Sequence, residues 1–204
     1  MLGHAHATKN MSNGRLVVVS GPSGAGKTSV MQRVFQTSRV PLAHSVSATT
    51  RPPRNGEIDG LHYHFLSSEE FSKRRQRGDF VECFEVFDHG HWYGTLWSEV
   101  TTGLTAGKWV VLEIDVQGAL AVIEKFPEAI TIFLRPSTPE DLERRLRARG
   151  TETDEAIAGR LAHAKRELAL ADRYQYQVIN DNMDQAVQDI CDILTSQWEK
   201  DRND

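Results

Sequence analysis

Apolar residues fall in two rhythms along this chain. Short continuous runs at 15–20, 109–114 and 130–134 read as buried strands, because a strand covered on both faces loses the alternation of a half-exposed one. Between and after them the rhythm is helical. Val30, Met31, Val34 and Phe35 predict a helix over 27–37, and Val116, Ala119, Leu120 and Ile123 predict another that Pro127 ends. Ser137 and Thr138 stand where an N-cap belongs, with Pro139 just inside and Glu140 and Asp141 in the first turn, so a helix should run to about 149, where Gly150 stops it. A longer helix from Thr153 carries Ile157, Leu161, Ala164, Leu168 and Ala171, and a strand follows at about 177–180. The last helix shows Met183, Ala186, Val187, Ile190, Cys191, Leu194 and Trp198 on one face, a spacing that burial alone requires.

The stretch 61–95 behaves differently. Short β-like runs (HYHFL, FVECFEVF, HWYGT) surround a polar helix near 68–77, without strand–helix alternation. The pattern predicts an α/β fold: a three-layer core with a parallel sheet at 14–47 and 96–204, and an inserted mixed or antiparallel β lobe at 48–95. Residues 1–13, polar and aperiodic, predict a disordered tail whose His4 and His6 are too few ligands for a metal site.

Composition narrows the function. The chain has 204 residues, enough for a substantial core, and its formal net charge of -4 argues against a general nucleic-acid surface. Any anion site must be local. No apolar run approaches a membrane span, and Cys83 and Cys191 lie far apart, as expected of reduced thiols in a cytoplasmic protein.

The local anion site is legible at Gly21-Pro22-Ser23-Gly24-Ala25-Gly26-Lys27-Thr28, which matches G-x-x-x-x-G-K-[ST] between a predicted strand and helix. Glycines let backbone N–H groups surround phosphate oxygens, and the helix N-terminus adds partial positive charge. Lys27 is expected to reach the β and γ phosphates of a nucleoside triphosphate, Thr28 to offer its hydroxyl to Mg²⁺, and Ser29 to continue the phosphate-binding turn. A second basic element, SVSATTRPPRNGE at 45–57, sets Arg51 and Arg54 on a proline-stiffened stretch where both can converge on one phosphate.

With "SGPSGAGKT", "SVSATTRPPRNGE" and "RGTET" in this order, the chain resembles the guanylate kinase family from about residue 15 onward. The resemblance implies a GMP-phosphate site at Arg51, Arg54, Tyr63 and Tyr93, with Glu57 beside it, and a guanine site at Ser47, Glu82, Thr95 and Asp115. It implies that the inserted lobe is the mobile GMP-binding domain, and that a helical lid within about 135–165 closes over ATP. Arg149, in RGTET, and Arg160 would be lid arginines, and Asn180 and Asp181 would belong to the adenine-side loop. One departure stands out: between Glu82 and Tyr93 the chain is about two residues longer than the usual family spacing and has Trp92 where a second tyrosine is common, which a longer hairpin around Asp88, His89, Gly90 and His91 can absorb.

Residue chemistry points the same way. Guanine presents two adjacent N–H donors that a carboxylate matches, whereas adenine would leave that carboxylate unpaired. Glu82 sits within an apolar β-like run, where its alternative is the solvent face of a half-exposed strand; Ser47 and Thr95 can donate to guanine O6. Glu113 and Asp115 share a strand face; resemblance to P-loop enzymes makes either a candidate to order Mg²⁺ through water, the sequence does not decide which, and we favour Glu113 for the metal and Asp115 for guanine. On the helix after Pro139, Arg145 and Arg149 return to the side of Leu142 and Leu146, while Arg144 and Arg147 turn away toward local acids.

The reaction expected is ATP-dependent phosphorylation of GMP or dGMP, with Lys27, Arg51, Arg145, Arg149 and Arg160 supplying positive charge. Two rivals are a related kinase acting on a ribose bisphosphate, which would not use the guanine set, and a non-catalytic guanylate-kinase-like domain that binds phosphopeptides. The sequence leaves oligomeric state open, a homodimer being one candidate.

Overall fold

The structure, a computed structural model, describes residues 14–86, 90–148 and 153–203. Strand pairing gives a five-stranded sheet of order β2-β7-β1-β8-β9 and a four-stranded one of order β4-β3-β6-β5. Here β1 is Leu16–Ser20, β2 Leu42–His44, β3 Ala48–Thr49, β4 His64–Phe65, β5 Phe80–Val86, β6 His91–Leu96, β7 Trp109–Glu113, β8 Ile130–Arg135 and β9 Tyr176–Ile179. In the larger sheet β2 runs parallel to β7 and β8 to β9; the smaller is mixed, with β3 parallel to β4 and antiparallel to β6. The fold is α/β with a parallel central sheet, as the alternation of runs and stripes predicts.

The chain divides into two compact units. The first comprises the chain up to Val17, Pro41–Leu112 and Ala121–Ala129. It contains α2 (Ser68–Arg77) and α3 (Trp97–Thr105). Ala48, Phe71, Phe80 and Leu96 form its lobe core, with Leu66, Cys83 and Trp92 packed against them. Ser67 caps α2 by accepting from the Glu70 amide, with Glu69 and Glu70 in the first turn and three arginines in the last, so capping and local charge support a helix that buries only Phe71.

The second unit comprises Val18–Val40, Glu113–Leu120 and Ile130–Asp204. It holds α1 (Lys27–Thr37), α5 (Pro139–Ala148), α6 (Asp154–Leu168) and α7 (Met183–Asn203). Helix α1 buries Val30, Met31 and Val34, and α7 buries Ala186, Val187, Ile190 and Leu194, the stripes read from sequence. Leu142 and Leu146 of α5 meet Ala164 of α6, with Leu161 beside them. The remaining helix, α4, spans Val116–Lys125.

Strands β2 and β3 and helix α3 escape the sequence reading. Strand β2 is three residues long, too short for a periodic signal. Helix α3, WSEVTTGLT, is rich in β-branched residues and contains a glycine, so its intrinsic propensity is poor. Packing supplies the explanation. A Cβ on Gly103 would lie 2.5 Å from Val110 Cγ2 and 3.2 Å from Ala43 Cβ, so the missing side chain is what lets α3 sit tightly against β2 and β7.

These helical glycines separate two effects that oppose each other. Gly159 in α6 has nothing within 4 Å of a built Cβ, so Gly159→Ala should stabilise the chain by about 0.5–1 kcal/mol through helix propensity alone. Gly103→Ala gains the same propensity but overpacks the core, at a cost of about 1–3 kcal/mol. Urea denaturation should place the first variant above wild type and the second at or below it.

Candidate functional site

The glycine loop occupies the second unit between β1 and α1, where its sequence placed it. Two close contacts shape it. Gly21 has φ 144°, and a Cβ there would fall 2.0 Å from the Leu134 carbonyl oxygen of β8. Gly26, the N-cap of α1, is left-handed at φ 88°, and its Cβ would come within 2.6 Å of Asn180 Nδ2. Asn180 in turn donates from that nitrogen to the Ala25 carbonyl, at 2.7 Å. Its side chain thus grips the loop, a more direct role than the adenine-side position implied. Helix α1 has no side-chain cap and no acid in its first turn, unlike α2 and α6, so its positive end is uncompensated.

Lys27 Nζ curls over the loop and donates to the carbonyls of Gly21 at 2.6 Å and Pro22 at 3.3 Å. The exposed Thr28 hydroxyl donates to Glu113 Oε1 at 2.5 Å. Hydroxyl and carboxylate oxygens are the hard donors that Mg²⁺ prefers, so this pair fits the assigned metal neighbourhood, and Ser29 follows it, exposed. Asp115 caps α4, accepting from the Gly118 amide at 2.7 Å. Burial pushes its carboxyl above the usual range, against the pull of that amide and of Lys27.

Arg145 and Arg160, two of the arginines expected to supply positive charge, are described in this unit. Arg145 donates to the Asn180 carbonyl and lies 3.9 Å from Asp181 Oδ1, so it does face inward. Arg160 NH1 reaches Ser23 Oγ at 3.3 Å, bringing α6 to the loop. Arg149 and the turn around it lie outside the described residues. Arg144 and Arg147 turn outward as expected, Arg144 to Asp141 and Arg147 to Glu143 and Asp154.

The phosphate-clamp candidates gather in the first unit. Arg51, 9% exposed, pairs bidentately with Glu57 at 2.9 and 2.8 Å, and donates from Nε to Tyr93 OH at 3.1 Å and from NH1 to the Pro52 carbonyl at 2.7 Å. Its guanidinium lies 5.5 Å from the Tyr63 ring centroid, and the Tyr63 and Tyr93 rings meet edge-on at 5.9 Å. Hydrogen bonding to Glu57 holds the Arg51 pKa up, and the same contact holds Glu57 down. Arg54 is exposed, its amide donating to Glu57 at 2.6 Å.

Glu82 is not on a solvated face. It stands half-buried across β5–β6 from Thr95, whose hydroxyl donates to it at 2.7 Å. The same register places Phe84 opposite Tyr93 and Glu85 opposite Trp92, with His91 inside β6; residues 87–89, which include His89, lie outside the described ones, as does the tail 1–13. Ser47 is half-buried, its carbonyl accepting from the His64 amide at 2.9 Å.

The sequence reading missed a buried polar group. Glu167, 7% exposed, has Oε1 3.3 Å from His163 Nε2, while its Oε2 is buried without a hydrogen-bond partner among the described residues. Ser20 Oγ and Tyr174 OH share that condition, the two hydroxyls lying near each other but short of hydrogen-bonding geometry. Burial pushes Glu167 up to about 7, with Lys27 opposing and Asp115 adding to the shift; burial also pushes Tyr174 upward. A signal existed. The apolar stripe of α6 continues through Arg160, Ala164 and Glu167 at helical spacing, so charged residues stand in the buried row.

A family model described as guanylate kinase matches residues 13–197. The chain is 56% identical to a guanylate kinase of Rhodopirellula baltica over 185 residues, covering 90% of this chain and 88% of that protein. It is 46% identical to one of Fusobacterium nucleatum over 184 residues, 90% of this chain and 97% of the other. The crystal structure of guanylate kinase from Anaplasma phagocytophilum superposes with a TM-score of 0.75 at 29% identity, covering 92% of this chain and 87% of that one.

The Glu167 carboxyl keeps its proton to about pH 7 when folded, against 4.5 for the ordinary group. Stability from burying the neutral acid is therefore complete below 4.5 and lost as pH rises through 7. Glu167→Gln stays neutral throughout. Urea denaturation from pH 4.5 to 8 should show wild type losing on the order of 3 kcal/mol relative to that variant. Parallel pH profiles would exclude the buried acid as their cause.

Proposed function

The chain belongs to the guanylate kinase family, and on that premise we propose that it transfers the γ-phosphoryl group of ATP to the α-phosphate of GMP or dGMP, yielding ADP and GDP or dGDP. An oxygen of the acceptor phosphate forms a bond to phosphorus while the bond to the β–γ bridging oxygen breaks. The acceptor is already an oxyanion, so no general base is needed, and catalysis rests on alignment and charge neutralisation.

The glycine loop is assigned to the ATP phosphates, with Lys27 exchanging the Gly21 and Pro22 carbonyls for β- and γ-phosphate oxygens. Thr28 would hold Mg²⁺ directly and Glu113 through water; the ion would supply positive charge to the phosphates. Arg145 and Arg160 flank the same loop through Asn180 and Ser23, and Arg149 joins them on its motif alone.

Arg51, Arg54, Tyr63 and Tyr93 are assigned to the GMP phosphate, with Glu57 holding Arg51 in place beforehand. Ser47, Glu82 and Thr95 are assigned to guanine. The observation that carries this choice is the Glu82–Thr95 pair: a half-buried carboxylate beside a hydroxyl complements the donor edge and O6 of guanine and has no counterpart in a sugar-phosphate acceptor. Asp115 is assigned to guanine as well, on the family resemblance, its carboxylate also accepting from the Gly118 amide at the start of α4. An intact loop with Lys27 and Thr28 in place favours catalysis over a silent phosphopeptide-binding domain. The cytoplasm, where both nucleotides are abundant, is the proposed location.

Coupled measurement of ADP formation with GMP, AMP, UMP and CMP tests the assignment, GMP being the preferred acceptor. Lys27→Ala and Arg51→Ala should each lower kcat by about a hundredfold or more with the chain still folded, Arg51→Ala at a lowered melting temperature because it leaves Glu57 without its partner. Glu82→Gln should reduce the preference for GMP over AMP by at least about tenfold. Undiminished turnover in the first two, or unchanged preference in the third, would overturn the corresponding role.

A further inference from the structure

Resting on the assignment of the first unit to GMP, we propose that Glu99 is a positioning residue for guanine recognition. Its carboxylate is the point at which three separate segments, each bearing an assigned GMP residue, are tied together. Glu99 lies in the first turn of α3, the helix that continues directly from β6 with its Tyr93 and Thr95. Oε1 accepts from His64 Nε2 at 2.9 Å, and His64 follows Tyr63. Oε2 accepts from the Val46 amide at 3.3 Å, and Val46 precedes Ser47.

A backbone contact closes the ring. The His64 amide donates to the Ser47 carbonyl at 2.9 Å, so the 46–47 segment is held at the N–H of one residue and the C=O of the next. Ser47 itself belongs to no strand, since β3 begins at Ala48; without Glu99 its approach would be fixed on one side only. Glu99 and His64 are both about one quarter exposed, shielded enough for a charge-assisted bond to hold its geometry. The carboxylate also complements the positive end of α3, which has no side-chain cap.

Glutamine can replace this arrangement chemically. Its amide oxygen accepts from Val46 and its amide NH₂ donates to His64 in the tautomer that leaves Nε2 bare. Alanine can do neither.

Steady-state kinetics with GMP and ATP varied separately test the proposal. Glu99→Ala should raise KM for GMP about tenfold, with KM for ATP and kcat within about twofold of wild type; Glu99→Gln should restore KM for GMP to within about threefold. His64→Ala should raise KM for GMP as well, and the double variant should be no worse than Glu99→Ala, because both remove one linkage. If Glu99→Ala does not fold, His64→Ala and Glu99→Gln carry the same comparison. An unchanged KM for GMP in Glu99→Ala, equal rises for both nucleotides, or independent effects of the two residues would overturn it. Failure of wild type to phosphorylate GMP would instead remove the premise.

Discussion

The glycine loop depends on a backbone approach that tolerates no side chain. With the Leu134 carbonyl 2.0 Å from where a Gly21 Cβ would be, β8 dictates the path by which the chain leaves β1. The other end of the loop is set from β9's side, where Asn180 donates to Ala25 and crowds Gly26. Two strands distant in sequence therefore shape the loop, and Arg145, through the Asn180 carbonyl, fastens α5 to the same point. An anion cradle made of amide hydrogens needs this external support, because short glycine-rich backbone loses more entropy on ordering than any other.

The first unit solves a different problem, that of keeping charged side chains ready for an anion in a partly desolvated place. Arg51 uses Glu57, Tyr93 and a carbonyl, so its planar fork is oriented before any phosphate arrives. With side chains only 10% and 18% exposed, the Arg51–Glu57 pair is poorly screened, and removing one partner would strand the other. The Lys73–Glu69 pair on α2, at a similar distance, is 58% and 78% exposed and contributes little beyond solvation and local helix support. Distance alone does not separate these pairs; burial does.

How much of this was legible follows from the range over which each signal acts. Helices α1 and α7 were readable because their apolar stripes are local, and the phosphate loop because its motif lies between a strand and a helix. The Arg51–Arg54 stretch was readable as an anion clamp, yet nothing in it showed that Glu57 occupies the fork of Arg51. Helix α3 was hidden because its stability comes from Gly103 fitting against Val110 and Ala43, a fact of tertiary packing that propensity opposes. Asp115 was read as a guanine ligand from the family resemblance; capping of α4 is a second use for the same carboxylate that the motif could not reveal.

Glu99 and Glu167 show why buried or half-buried acids are the hardest residues to interpret from sequence. Both occupy helical positions where a glutamate is unremarkable by propensity, and neither belongs to a recognisable motif. Their surroundings give them opposite physics. Glu99 receives a donor on each oxygen and so can hold two chain segments in register. Glu167 has a histidine at one oxygen and no partner among the described residues at the other, in a place shared with Asp115, so desolvation and like charge favour its neutral form. The first arrangement braces geometry, whereas the second leaves a carboxyl sensitive to its charged neighbours, Lys27 and Asp115 being among the groups whose field it feels. The carboxylate that serves as a brace is therefore distinguished from the one that carries a penalty by its count of donors, which the linear chain does not display.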